Sequence, residues 1–75
     1  MGEPRSRILV VEDEESIRNG LCDVLTFHGH EPEGVERGDD GLTRGLSGDH
    51  ALVILDLMLP GLDGFEVCRR LRATH

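Results

Sequence analysis

Two solid aliphatic runs constrain this chain more than any other feature: Arg7–Val11, RILVV, and Ala51–Leu55, ALVIL. Neither alternates apolar with polar residues. An unbroken run of this length reads as a strand covered on both faces, as in a parallel sheet flanked by helices. Each run ends in acid: Glu12-Asp13-Glu14-Glu15 follows the first and Asp56 the second. If the two strands are parallel neighbours, their acids emerge on one edge of the sheet, the carboxyl edge at which open α/β sheets bind ligands.

The intervening pattern supports that arrangement. Ser16–His28 repeats Ile17, Leu21, Val24 and Leu25 at helical spacing, with Asp13 a candidate N-cap and Gly29 placed just past the end. His30–Val35 contains Pro32 and Gly34, so a strand there belongs at a sheet edge. Gly38–Gly48 is a weak helix; Asp39 could cap it, Leu42 and Leu46 could anchor it, and Gly41 and Gly45 each cost about 1 kcal/mol relative to alanine. Gly64–Arg72 closes the series as a helix burying Phe65, Cys68 and Leu71. Met1–Ser6 is expected to be a mobile leader. Strands separated by helices imply a parallel sheet with right-handed crossovers.

Composition narrows the partners. Net charge is −7, and all eight basic residues are arginine. That balance, with Phe27 and Phe65 the sole aromatics, disfavours direct nucleic-acid binding and anionic membranes. No apolar run approaches the roughly 18 residues of a membrane span, and the polar start lacks the apolar core of a signal peptide. Cytoplasmic residence is therefore expected, with Cys22 and Cys68 as reduced, part-buried packing residues. His28, His30, His50 and His75 are expected to be solvated rather than to bind metal.

Gathered carboxylates repel; two unit charges 4 Å apart cost roughly 4 kcal/mol at an effective dielectric of 20. A hard divalent cation relieves this, and Mg²⁺ is commonly held by one or two carboxylates, waters and phosphate oxygens. Asp56 beside such a cation could accept a phosphoryl group. Taken singly, the acids read as a solvated helix start and a turn cap; taken together they favour phosphoryl chemistry.

The segments RILVVEDEES and VILDLMLPGLDGFEVCRRLR resemble the first three βα units of a bacterial response-regulator receiver domain of the CheY-like family. The resemblance implies a partial flavodoxin-like (βα)3 unit over residues 7–75, strand order 2-1-3, without strands 4–5 and helices 4–5. It implies that Asp56 is phosphorylated by a histidine kinase or phosphotransfer protein, with Mg²⁺ (or Mn²⁺) as cofactor. Asp13 would bind the metal directly, Glu12 would support it through water, Asp56 would share it, and the backbone carbonyl of Met58 would complete the protein's ligands. Pro60 and Gly64 would shape the loop. A domain of this kind is a phosphoacceptor rather than an enzyme. The Ser or Thr after a fourth strand and the Lys after a fifth have no counterpart here, which implies a fragment with impaired switching. A third strand without a fourth neighbour is an unpaired apolar edge, from which self-association is expected. The alternatives are a structural or self-associating fragment without phosphoryl chemistry and a haloacid-dehalogenase-like phosphatase. Asp56-Leu57-Met58 lacks the second acid of the latter's Asp-x-Asp.

Overall fold

The computed structural model describes residues 6–48, 50–59 and 61–74. Six elements alternate along the chain: β1 (Arg7–Val11), α1 (Glu15–Phe27), β2 (Glu31–Val35), α2 (Gly38–Ser47), β3 (Leu52–Leu55) and α3 (Gly64–Thr74). The strands form one parallel sheet in the order β2-β1-β3. This is the expected partial flavodoxin-like arrangement.

The central place of β1 explains its lack of alternation. Ile8, Leu9, Val10 and Val11 are all buried, because helices stand on both faces of the sheet. Leu9 and Val11 join Leu59 and the half-buried Val35, Val53 and Leu55 in one cluster. Gly41 of α2 rests against Val11, so this cluster lies beneath α2. Alternation along the strands sends Ile8, Val10 and position 34 to the opposite face, beneath α1. Arg18 and Cys22 of α1 lie over Gly34 there. Strand β2 does occupy an edge, so the missing N–H of Pro32 costs no inner ladder bond.

The helices depart from their sequence readings in informative ways. Helix α1 buries no residue fully; Leu21 and Leu25 are half-buried, whereas Ile17 and Val24 are exposed. It stands on β2 and β1, while α2 packs on both β1 and α3. Asp13 does not cap α1. Glu14 occupies the N-cap place without a side-chain cap bond, and its N–H donates instead to Glu12 Oε2 at 3.1 Å. The other end follows expectation: Gly29 has φ +88°, its N–H donates to the Thr26 carbonyl, and the His30 N–H donates to the Leu25 carbonyl. That left-handed residue is the reason glycine stands there.

Helix α2 corrects the reading of its glycines and of Leu46. Leu42 is buried as expected, but Leu46 is exposed, and Asp39 lies inside the first turn rather than at the cap. Gly41 and Gly45 are buried and form the contact face, against Val11 and Leu71. Added methyls would fall 2.8 Å from Val11 Cγ1 and 2.8 Å from Leu71 Cδ2, so the glycines admit close packing rather than merely weaken the helix. Among the described residues of α3 the buried apolar side chain is Val67, while Phe65 is 69% exposed. The helix is turned so that Val67, Cys68 and Leu71 face inward. Asp63 caps it by accepting the Glu66 N–H at 3.0 Å. The leader lies outside the described residues except Ser6, whose carbonyl accepts the Glu31 N–H. No helix among the described residues is long and apolar enough to cross a membrane.

Candidate functional site

Main-chain bonding continues past the ends of the strands and carries the acids together. The Glu12 N–H donates to the Val35 carbonyl at 3.0 Å, and the Asp56 N–H donates to the Val11 carbonyl at 3.0 Å. Asp56 is thereby set beside Glu12 and Asp13 on one rim. Glu12, Asp13 and Asp56 each offer a carboxylate oxygen, and these lie within 4.8 Å of one another. Glu12 and Asp56 are half-buried and Asp13 is exposed.

Local bonds orient two of the three. The Met58 N–H donates to Asp56 Oδ1 at 3.0 Å, so the loop after β3 turns back on the carboxylate. Met58 itself has an exposed side chain. Glu12 Oε2 accepts the Glu14 N–H, which by itself lowers the Glu12 pKa and is the largest single influence on it. Burial, the Asp13 carboxyl and the charge of Asp56 together outweigh that bond and raise the Glu12 pKa above its ordinary value. The group is thus most comfortable beside a positive charge.

Gly64 closes the loop. Its N–H donates to the Leu57 carbonyl at 3.1 Å, and a Cβ there would fall 2.4 Å from the Asp56 carbonyl oxygen and 2.4 Å from Leu57 Cα. Any side chain would push the loop off Asp56. Pro60 lies outside the described residues.

Sequence reasoning missed two features. Arg18 Nη1 donates to the Glu12 carbonyl at 2.9 Å, reaching back six residues from the first turn of α1. Separately, Glu33 accepts from Arg44 Nε at 2.6 Å, lies 2.9 Å from His50 Nε2 and pairs with Arg7 at 3.7 Å. Arg44 and His50 hold the Glu33 carboxyl down to about 2. The His50 side chain is 2% exposed, which corrects its reading as solvated. Its ring fits because Gly48 has no Cβ, which would fall 2.4 Å from His50 Cε1. A glutamate, an arginine eleven residues on and a histidine in a loop give no local pattern; only the fold assembles them. His75 lies outside the described residues.

Three carboxylates without imidazole or thiolate make a hard oxygen site, suited to Mg²⁺ rather than to zinc or copper.

The comparisons with known proteins agree with this geometry. A family model described as the response regulator receiver domain matches residues 8–75. The chain is 46% identical over 67 residues to the transcriptional regulatory protein AfsQ1 of Streptomyces coelicolor, covering 89% of this chain and 30% of that protein. It is 50% identical over 66 residues to TcrA of Mycobacterium tuberculosis, covering 88% and 26%. The chain therefore spans about a third or less of the curated relatives it matches. Among solved structures, response regulator TrrA of Thermotoga maritima in complex with Mg²⁺-BeF superposes with a TM-score of 0.86 at 43% identity, over 91% of this chain and 59% of that one. A complex of histidine kinase ThkA with TrrA matches with a TM-score of 0.86 at 41% identity, over 93% and 60%. With the fold, the acidic rim and the family match in agreement, the chain belongs to the response-regulator receiver domain family of two-component signalling and carries that domain's first three βα units.

Proposed function

We propose that this chain is the phosphoacceptor portion of a receiver, taking a phosphoryl group on Asp56 from a phosphohistidine of a partner histidine kinase or phosphotransfer protein. The observation that carries this reading is the convergence of Glu12, Asp13 and Asp56 within 4.8 Å from the ends of two neighbouring parallel strands. Asp13 and Asp56 would hold Mg²⁺ (or Mn²⁺) directly, with Glu12 in support and the Met58 carbonyl completing the protein's ligands. The bound cation would supply neutralisation of charge on the transferring group. An Asp56 carboxylate oxygen bonds to phosphorus as the phosphorus–nitrogen bond breaks. The imidazole nitrogen leaves with the electron pair and takes up a proton. The Met58 N–H restrains the Asp56 carboxylate, and Gly64 holds the loop near it. The Mg²⁺-BeF complex of TrrA supports the metal, and the ThkA–TrrA complex supports a kinase partner.

These 75 residues contain no lysine, so by themselves they lack a cationic side chain of that type for the phosphoryl oxygens. Phosphorylation of these residues alone is accordingly slow and does not drive a full switch. Self-association belongs to the same proposal: β3 ends the sheet among the described residues, with Leu52 54% exposed beside its unpaired edge. That edge also favours the second reading, a self-associating fragment without phosphoryl chemistry.

Incubation with acetyl phosphate and Mg²⁺, followed by mass spectrometry, separates the two. Slow labelling of the wild type and none of Asp56→Asn supports the phosphoacceptor. Equal labelling of both removes Asp56 from its role. A chain with no saturable Mg²⁺ binding dependent on Asp13 and Asp56 is the structural fragment.

A further inference from the structure

We propose that Arg18 is the positioning residue of the acidic rim: lying across Gly34 of β2, it holds the Glu12 and Asp13 main chain so that their carboxylates meet Asp56. This deepens the metal reading above and rests on it. Arg18 Nη1 lies 2.9 Å from the Glu12 carbonyl oxygen and 3.5 Å from that of Asp13, the first a good hydrogen bond and the second a weak one. The Glu12 N–H is already tied to the Val35 carbonyl and its Oε2 to the Glu14 N–H. With Arg18 on its carbonyl, Glu12 is fixed at every polar group of its backbone. Both of these bonds from the guanidinium go to carbonyls, so the cation steadies the loop while leaving the carboxylate oxygens to a metal.

The route of the side chain is what makes this a built device. The Arg18 stem runs over Gly34, where a Cβ would fall 3.1 Å from Cγ, 3.2 Å from Cδ and 3.4 Å from Cys22 Sγ. Glycine weakens a strand, yet here it opens the channel along which the arginine reaches back to the rim. Residues that orient metal ligands without touching the metal commonly change affinity about 10- to 100-fold when removed.

The test compares Arg18→Met, which keeps the stem over Gly34 but removes the guanidinium, with Arg18→Lys and Gly34→Ala. Mg²⁺ affinity is read from amide chemical shifts. Backbone ¹⁵N relaxation at Glu12–Glu15 is read without metal, and the melting temperature is measured alongside. Arg18→Met is expected to weaken Mg²⁺ about tenfold and to loosen Glu12–Glu15, with the melting temperature nearly unchanged; Arg18→Lys recovers part of the affinity. Gly34→Ala, which displaces the stem, shifts affinity the same way and carries the test if Arg18→Met does not fold. Wild-type affinity and order in Arg18→Met overturn the proposal, as does a loss of affinity that only parallels a loss of stability. If the wild type shows no saturable Mg²⁺ binding, the metal reading fails, and the relaxation data still decide whether Arg18 orders the loop.

Discussion

Glu33 shows what a single residue gains from tertiary neighbours. Arg44 and His50 hold its carboxyl at about 2, below the ordinary 4.5. The sign follows: the unfolded chain binds a proton more readily, so this cluster stabilises the fold above about pH 4.5 and loses that contribution as pH falls towards 2. Glu33→Gln should cost about 1 kcal/mol at pH 7, and the difference from wild type in urea melts should shrink across that window. A difference that stays constant down to pH 2.5 would remove the cluster from the account. At the rim, Asp56→Asn should reduce Mg²⁺ affinity at least tenfold without lowering stability, because it removes one of three mutually repelling charges. Calorimetric titration paired with thermal melts checks both halves of that statement.

Among the elements, the helices separate local preference from packing. Glycine costs about 1 kcal/mol in any helix interior, so propensity alone ranks Gly20, Gly41 and Gly45 together. Their surroundings rank them apart. Gly20 has open space, Gly45 meets the flexible Leu71 side chain, and Gly41 meets the buried, stiff Val11. Gly20→Ala should stabilise by about 0.5–1 kcal/mol, Gly45→Ala should be near neutral, and Gly41→Ala should cost about 1–3 kcal/mol. Equilibrium unfolding of the three variants tests the order. Gly38 belongs to the same set, since a Cβ there would fall 1.4 Å from the Leu62 carbonyl oxygen. The start of α2 is thereby pressed against the loop after Asp56, and a substitution there should disturb that loop as well as the helix.

For the whole molecule, the decisive feature is the uneven cover of a three-stranded sheet. Helices α2 and α3 pack together, whereas α1 leaves Ile17, Val24 and Phe27 exposed. Strand β3 has one neighbour among the described residues, and Leu52 beside its outer edge is 54% exposed. Sedimentation of the 75-residue chain should therefore show mass rising with concentration, and Leu52→Lys should shift the distribution towards monomer by placing a charge at the edge. A wild type that stays monomeric at high concentration overturns the self-association proposal.

The unbroken runs RILVV and ALVIL, with acids at their ends, determined from sequence alone a parallel sheet and a shared acidic rim. Burial on both faces leaves the central run RILVV few other places to be, whereas ALVIL at the sheet edge is only half-covered, with Leu52 exposed; the pairing of these parallel neighbours then aligns their ends. The tertiary structure alone decided which side of each helix faces inward: Val67 rather than Phe65 in α3, and the glycines rather than Leu46 in α2. It also decided that Glu14 rather than Asp13 stands at the start of α1, and that Arg18 and His50 have fixed partners. Helical periodicity gives an apolar stripe to within a residue or so, but the final rotation is set by where backbones can approach most closely. Contacts between residues far apart in the chain leave no spacing to read.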